Sequence, residues 1–278
     1  MRYILRFLRL LWQILIVGTY VVGCWLFWLI RYSNHPERYP LELRYRRLRS
    51  MVRFMFWGFA VKINTTGKEN IDNISGRFVL MGNHRSVVDA LVLIAVSERP
   101  ITFASKIEAT KYPIIGRAIR SIEGVFLDRD DLRQQLKMMK YIESEMRDNP
   151  NRQWVIFPEG TRNKDGGPFD LLEFHHGSFR APLTENIPVI PTTMFGVPRI
   201  LNKKYTWDIP VQVHFGAPIL PNQDNHIVSS NDFAQYTRER MLENMGIIVK
   251  RDPVYKREQR RLENKRIKEE MKASKGKS

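Results

Sequence analysis

An uncharged stretch near the amino terminus constrains the folding of this chain more than any other feature. From Leu10 to Ile30 there is no charged side chain, and Gln13 is the only strongly polar one. A helix of this length rises about 30 Å, which matches the hydrocarbon core of a bilayer. We therefore predict a membrane-associated helix. Because arginines flank both of its ends, their charges do not fix its orientation.

The single cysteine of the chain, Cys24, lies inside this stretch. One cysteine excludes an internal disulfide and a zinc cluster built from several cysteines, so nothing indicates an oxidising compartment. The sequence from Val21 to Cys24 is similar to a lipid-attachment box, but the residues after it stay apolar where a lipoprotein turns polar. We expect a buried or lipid-facing cysteine, and a main domain that faces the cytoplasm.

The next segment, Leu41 to Val61, begins with several arginines and continues with large apolar and aromatic side chains. Such a mixture predicts a helix that lies in the interface of an anionic membrane. The alternative is a helix packed on the soluble domain. We therefore predict that residues 1–61 contain two membrane-anchoring helices, formed by the uncharged stretch and by this segment.

Beyond residue 61, short apolar runs alternate with helical spacing. Six runs are predicted strands: 78–81, 101–104, 125–127, 154–157, 189–194 and 211–215. Helical patterns fall between several of them, at residues 87–96 and 132–146. This alternation predicts an α/β domain over residues 62–249, with a mixed sheet flanked by helices.

The charge of the chain restricts its partners. The formal net charge of +16 suits an acidic partner: nucleic acid, an anionic membrane, an acidic carrier protein or a phosphorylated substrate. Residues 250–278 alone contain 12 Lys/Arg against 5 Asp/Glu and few apolar side chains. We predict a basic carboxy-terminal tail that is either a solvated helix or disordered.

A histidine and an aspartate stand at a predicted strand-to-helix turn. His84 follows the strand at 78–81, where ligands bind in open α/β sheets, and Asp89 comes five residues later. If a helix begins near Ser86, the Asp89 carboxylate can accept the Nδ1 proton of the imidazole and leave Nε2 free as a base. Such a pair suits a reaction in which a substrate hydroxyl is the nucleophile. Alone, the pair also fits a surface histidine and an aspartate in a first helical turn.

A second polar group follows the predicted strand at 154–157. Residues 157–162 read Phe-Pro-Glu-Gly-Thr-Arg and offer a carboxylate, a glycine for close backbone approach, a hydroxyl and a guanidinium. The run from Gly124 to Arg129 supplies another arginine after a strand. Because arginine binds phosphate in a bidentate manner, Arg129 and Arg162 are candidates for a phosphate site.

These motifs together resemble those of the glycerolipid acyltransferases typified by 1-acyl-sn-glycerol-3-phosphate acyltransferase. Four family motifs match in order: Asn-His-x4-Asp at Asn83, His84 and Asp89; the Gly-Phe-Arg type at Gly124, Phe126 and Arg129; Phe-Pro-Glu-Gly-Thr-Arg at residues 157–162; and an apolar pair before proline at residues 189–191. The run Ala104-Ser105-Lys106 is also similar to the family. The resemblance covers about residues 60–220 and does not include the basic tail.

The resemblance implies a reaction. His84 would remove the proton from a glycerol hydroxyl, which attacks the thioester carbonyl of an acyl donor, while Asp89 orients the imidazole. The acceptor would be lysophosphatidic acid, acylated at its sn-2 hydroxyl to phosphatidic acid. The donor would be acyl-CoA or acyl-acyl carrier protein, with no metal and no cofactor required. The implied substrate-phosphate site consists of Lys106, Arg129, Glu159, Gly160, Thr161 and Arg162.

Two other functions remain open on the sequence. A related acyltransferase that acts on another lysophospholipid or on glycerol 3-phosphate would share these motifs. A basic membrane- or nucleic-acid-binding protein would share the charge. The sequence contains no zinc finger, aromatic RNA-binding signature or recognition-helix pattern, so we expect no nucleic-acid partner.

Overall fold

A computed structural model describes residues 7–8, 11–128, 131–202, 204–205, 207–223 and 226–275. At its centre is a seven-stranded sheet. The strands are β1 (Val61–Thr66), β2 (Val79–Gly82), β3 (Ile101–Lys106), β4 (Val125–Leu127), β5 (Gln153–Ile156), β6 (Val189–Phe195) and β7 (Ile209–Phe215). Their order across the sheet is β1-β7-β6-β2-β5-β3-β4.

The sheet is mixed, as predicted. Strands β6, β2, β5, β3 and β4 are parallel to one another. Strand β7 pairs with β6 in the antiparallel sense, and β1 pairs parallel to β7. All six predicted strands are present. Strand β1 was not predicted, because its sequence Val-Lys-Ile-Asn-Thr-Thr contains only two apolar side chains. An edge strand needs fewer apolar residues than a central one, since it has a neighbour on one side only.

Helices cover both faces of the sheet. They are α1 (Gln13–Asn34), α2 (Leu41–Gly58), α3 (Glu69–Asp72), α4 (Asp89–Val96), α5 (Pro113–Ser121), α6 (Leu132–Asp148), α7 (Arg180–Thr184), α8 (Ser230–Arg251) and α9 (Pro253–Lys275). The prediction of a helix over residues 132–146 is confirmed by α6. Of the two states expected for the basic tail, the structure shows a helix, α9.

Alternate residues of each central strand point into two separate cores. Leu80 and Ile190 pack with α2, α4 and α5 on one face of the sheet. Val79 and Val189 pack with α6 and α8 on the other face, around Phe233. This alternation follows from the period of two along a strand, and it explains why the central strands read as continuous apolar runs.

Helix α2 is part of the first core. Its buried residues include Tyr45, Leu48 and Met51. Arg44, only 3% exposed, donates hydrogen bonds to the carbonyl of Ser121 at 2.6 Å and to the Glu123 carboxylate at 2.5 Å. The sequence favoured an interfacial helix, but the structure shows the alternative, a helix packed on the domain. Helix α2 therefore contributes to the core of the domain.

Helix α1 runs antiparallel along α2. Gln13 Nε2 donates to the carbonyl of Gly58 at 3.4 Å, and the ring centroids of Tyr20 and Phe54 are 4.2 Å apart. Cys24 is buried against α2. Within the described residues, α1 is the only helix long and apolar enough to cross a membrane. Its outer side exposes many large apolar residues: Ile14, Leu15, Ile16, Tyr20, Val22, Leu26 and Phe27.

Candidate active site

The two sequence motifs meet at the carboxyl ends of neighbouring parallel strands. Met81 of β2 pairs with Ile156 of β5, so the turn after Gly82 and the loop that begins at Phe157 leave the sheet side by side. Strand β3 is the next neighbour of β5, and its last residue, Lys106, lies at the same edge. Loops at this edge form the ligand-binding crevice of open α/β sheets.

The imidazole of His84 contacts the carboxylate of Asp89. Nδ1 and Oδ2 are 2.8 Å apart, and Oδ2 also accepts hydrogen bonds from the main-chain N–H groups of Arg85 at 2.7 Å and Ser86 at 2.8 Å. Because an ionised carboxylate only accepts hydrogen bonds, Nδ1 is the donor, and a neutral imidazole in this tautomer has its lone pair on Nε2. Asp89 is 1% exposed and the His84 side chain 19%, so the aspartate lies behind an accessible imidazole.

The local backbone differs from the prediction in one respect. We expected a helix from about Ser86, but α4 begins at Asp89 itself. The carboxylate therefore stabilises the turn before the helix, where the N–H groups of Arg85 and Ser86 have no helical partner. Asp89 is suited to this place because aspartate is favourable in a first helical turn.

The main chain of His84 is held from both sides by the loop after β5. Its N–H donates to Glu159 Oε1 at 2.7 Å, and its carbonyl accepts the N–H of Asn163 at 2.8 Å. Phe157 stacks on the imidazole, with 4.4 Å between the ring centroids and 22° between the planes. The loop thus positions both the backbone and the ring of His84.

Glu159 uses both of its carboxylate oxygens on main-chain groups. Besides the bond from His84, Oε2 accepts the N–H of Leu172 at 3.0 Å. Burial raises the pKa of Glu159, while hydrogen bonds from the His84 and Leu172 N–H groups oppose that rise. The side chain is buried beneath the turn and is not displayed at the surface of the site. These contacts make Glu159 a positioning residue for His84.

Asn83 fixes the start of the same turn. Its Oδ1 accepts the N–H of Met194 at 2.7 Å and its Nδ2 donates to the carbonyl of Met194 at 3.0 Å, so the side chain pairs with β6 as a strand backbone would. The role of Asn83, like those of Phe157 and Asn163, was not predicted. The sequence could have indicated Asn83 and Phe157 as site residues only through their positions in the motifs.

The last three residues of the Phe-Pro-Glu-Gly-Thr-Arg run, Gly160, Thr161 and Arg162, are exposed. Gly160 has a φ of 65°, and a Cβ there would lie 2.7 Å from Cδ2 of the His175 ring, so this position requires glycine. Thr161 and Arg162 face solvent. Within the described part of the chain, the Arg162 guanidinium has no ion pair or side-chain hydrogen bond, which leaves its donors available to an anion.

The other two cations of the predicted phosphate site are Lys106 and Arg129. Lys106 is half-exposed at the end of β3 and forms an ion pair with Glu108 at 2.5 Å. The Lys106 contact lowers the pKa of Glu108. Arg129 lies outside the described residues. The structure therefore places Lys106 and Arg162 at the same edge of the sheet as His84.

A longer loop, residues 163–172, links this site to α8. The Arg85 guanidinium donates to the carbonyl of Gly167 at 2.6 Å and also to that of Gly166. From the other side, Arg238 of α8 donates to the carbonyl of Leu171 at 2.8 Å. Within the described residues there is no group of three or more His, Cys, Asp or Glu arranged to hold a metal ion.

The geometry of the site and the family match of the chain agree. An imidazole oriented by a buried aspartate is suited to act as a general base on a substrate hydroxyl. Residues 62–195 match the model of the family described as Acyltransferase. This part of the chain is therefore an acyltransferase domain, as its motifs predicted.

Relatives and a solved structure agree with this assignment. The chain is 28% identical over 247 residues to a "probable 1-acyl-sn-glycerol-3-phosphate acyltransferase" of Mycoplasma pneumoniae, covering 83% of this chain and 90% of that protein. It is 26% identical over 177 residues to the 1-acyl-sn-glycerol-3-phosphate acyltransferase of Borreliella burgdorferi, covering 62% and 67% respectively. The fold matches the crystal structure of the 1-acyl-sn-glycerophosphate acyltransferase PlsC from Thermotoga maritima. That match has a TM-score of 0.67 and 22% identity, over 88% of this chain and 97% of that one.

Proposed function

We propose that this protein transfers a fatty acyl group from an acyl thioester to the sn-2 hydroxyl of lysophosphatidic acid, which yields phosphatidic acid for phospholipid synthesis. The main observation in support is the His84–Asp89 pair at one sheet edge with Lys106 and Arg162. The names of the Mycoplasma and Borreliella relatives point to the same acceptor.

The proposed mechanism uses His84 as a general base. Nε2 takes the proton of the sn-2 hydroxyl while the oxygen attacks the thioester carbonyl, and collapse of the tetrahedral intermediate breaks the carbon–sulfur bond. The imidazolium then returns its proton to the leaving thiolate. Asp89 holds the Nδ1 tautomer and stabilises the imidazolium. General base catalysis of this kind contributes about 10²- to 10⁴-fold.

The rest of the rate enhancement would come from positioning. We propose that Lys106, Arg129 and Arg162 bind the phosphate of the acceptor and so fix the distance between its free hydroxyl and His84. Thr161 offers a hydroxyl to the same phosphate. Because fixing two reactants removes translational and rotational freedom before the reaction, a tight phosphate site lowers the barrier for the step at the other end of the molecule.

The substrates require a membrane-bound enzyme, since the acceptor and the product reside in the bilayer. The exposed apolar side of α1 supports membrane association. We propose that residues 1–61 anchor the chain, that residues 62–249 perform catalysis facing the cytoplasm, and that the membrane surface is anionic. The donor is acyl-CoA or acyl-acyl carrier protein, and both are anionic partners for a chain with a net charge of +16.

Acyl transfer by the purified full chain in mixed micelles tests the proposal. Lysophosphatidic acid, lysophosphatidylcholine and glycerol 3-phosphate are compared as acceptors, each with both donors. We expect transfer to lysophosphatidic acid to exceed the others, and His84→Ala to lose at least 10²-fold in kcat. His35→Ala, which changes an exposed histidine between α1 and α2, is the matched control. Normal transfer by His84→Ala would refute the mechanism, and a preference for glycerol 3-phosphate would refute the acceptor alone.

A further inference from the structure

Helix α9 carries six of its nine cations in one line. Six basic residues follow each other at spacings of four, four, three, four and three positions, so they fall on one side of the helix. We name this set the α9 basic stripe: Arg257, Arg261, Lys265, Lys268, Lys272 and Lys275. The glutamates of α9 fall at other positions around the helix. The stripe is about 27 Å long, and it lies outside residues 62–195 that match the acyltransferase family.

The base of α9 is fixed at the active-site edge of the sheet. The buried carboxylate of Asp252 binds Arg199 at 2.7 Å and accepts the N–H of Tyr255 at 2.8 Å. The Tyr255 ring packs edge-on against Phe169, and against Phe195 at the carboxyl end of β6. Because Met194, next to Phe195, is the residue that Asn83 binds, α9 starts at the same edge as the His84 turn.

The amino-terminal end of α1 reaches the same edge. Arg199 also donates to the carbonyl of Pro210, and the adjacent Ile209 N–H donates to the carbonyl of Ala60 at 2.9 Å. Ala60 is two residues after Gly58, whose carbonyl accepts a hydrogen bond from Gln13 at the start of α1. The contacts therefore run without a gap from the base of α9 to α1.

Large apolar side chains are exposed along this path. Trp57, Leu201 and Trp207 each expose about three fifths of their surface. Tryptophan beside cations is typical of the membrane interface, where the ring sits at the level of the headgroups. These side chains therefore favour a membrane surface, which would bury their apolar parts and also bind the cations.

We propose that the α9 basic stripe binds the anionic headgroups of the membrane in which α1 is embedded, and so makes a second contact of the enzyme with the lipid surface. The described cations of the stripe support this, because Arg257 and Arg261 are exposed and form no ion pair within the described residues. The inference goes beyond acyl transfer. It rests on the proposed membrane association, and it does not depend on which acceptor is used.

A fluorescent label near the end of α9 tests the proposal in the full chain. Ser274→Cys is labelled in a Cys24→Ala background and reconstituted into vesicles that contain a fluorescent acceptor lipid. We expect energy transfer to be higher in vesicles with about one third phosphatidylglycerol than in pure phosphatidylcholine. We also expect it to fall in high salt, which screens charges beyond about 3 Å at 1 M.

Two variants that lose the same number of charges distinguish the effect of the stripe from the effect of the total charge of the tail. Arg261, Lys268 and Lys272 are changed to glutamine in the first variant; Lys256, Arg260 and Arg266, which lie off the stripe, are changed in the second. Each cation near an anionic surface changes the docking equilibrium about fivefold, so the first variant loses on the order of 100-fold. We expect the second to keep most of the energy transfer.

Three results would overturn the inference: equal loss in both variants, energy transfer that ignores phosphatidylglycerol, or a response in neutral vesicles only after an acidic acyl carrier protein is added. The last result would assign the stripe to a protein partner. Acyl transfer in detergent micelles, measured with both variants, is expected to equal that of the unmodified chain. If the proposed acyltransferase function is wrong, the acyl-transfer assay will show it, whereas the energy-transfer signal will not be affected.

Discussion

Replacing Glu159 by glutamine probes how the backbone of His84, the proposed catalytic base, is held. The carboxylate accepts one N–H from His84 at 2.7 Å and one from Leu172 at 3.0 Å. A glutamine amide has a single acceptor oxygen, so its NH₂ group must face one of these two N–H donors. A buried donor without an acceptor costs about 1–3 kcal/mol. We expect the free energy of unfolding of Glu159→Gln to fall by about that amount.

The kinetic effect follows from the position of His84. If its main chain moves by about 1 Å to avoid the new donor, the rate falls on the order of 10²-fold. We expect kcat to fall about 10- to 100-fold while KM for lysophosphatidic acid changes less than about twofold, because the buried Glu159 does not reach the phosphate site. Initial rates at varied acceptor concentration, together with thermal unfolding, measure both quantities.

Glu173→Gln is the matched control, since it removes an exposed carboxylate from the same loop. It should alter neither kcat nor stability. A raised KM with unchanged kcat in Glu159→Gln would mean that Glu159 touches the acceptor, and the positioning argument would then fail. Unchanged kinetics with unchanged stability would show that the two N–H contacts contribute nothing.

Three further predictions follow from the site and the sheet. Asp89→Asn should lower kcat by about 10³- to 10⁴-fold with the fold retained by circular dichroism, because an amide no longer holds the Nδ1 tautomer; a loss below tenfold would contradict this. Gly160→Ala should lower the Tm, since an L-residue there has a positive φ and its Cβ meets His175; an unchanged Tm would refute it. Burial lowers the pKa of His214, and Arg251 adds to this. Its contribution to stability is therefore present above about pH 6.5 and is lost as the pH falls through the lowered pKa. Between pH 7 and 5 the unmodified chain should lose more stability than His214→Gln, by at most about 1.4 kcal/mol per pH unit, and parallel pH curves would contradict this.

The sequence predicted those parts of the fold that depend on local pattern. Six strands and the mixed sheet followed from apolar runs, and the His84–Asp89 contact followed from a spacing of five residues. The position of Glu159 could not be predicted in the same way. Its bond to His84 joins residues 75 positions apart, and only the adjacency of β2 and β5 brings them together.

Helix α2 was misjudged for a physical reason. Several arginines followed by aromatic residues indicate a membrane interface, because arginine is rarely buried. Arg44 is buried nonetheless, since its partners Ser121 and Glu123, which are 77 and 79 residues away, satisfy its donors. Partners at that distance leave no trace in the local pattern of charges.

The burial of Arg44 limits how a water-soluble form of this enzyme can be made. Removing residues 1–60 would delete the cation between Ser121 and Glu123 and expose the apolar surface that Leu48 and Met51 cover. The shortened protein would aggregate for reasons unrelated to lipid. A better route keeps α2 and replaces the outward apolar residues of α1, such as Ile14 and Phe27, with polar ones.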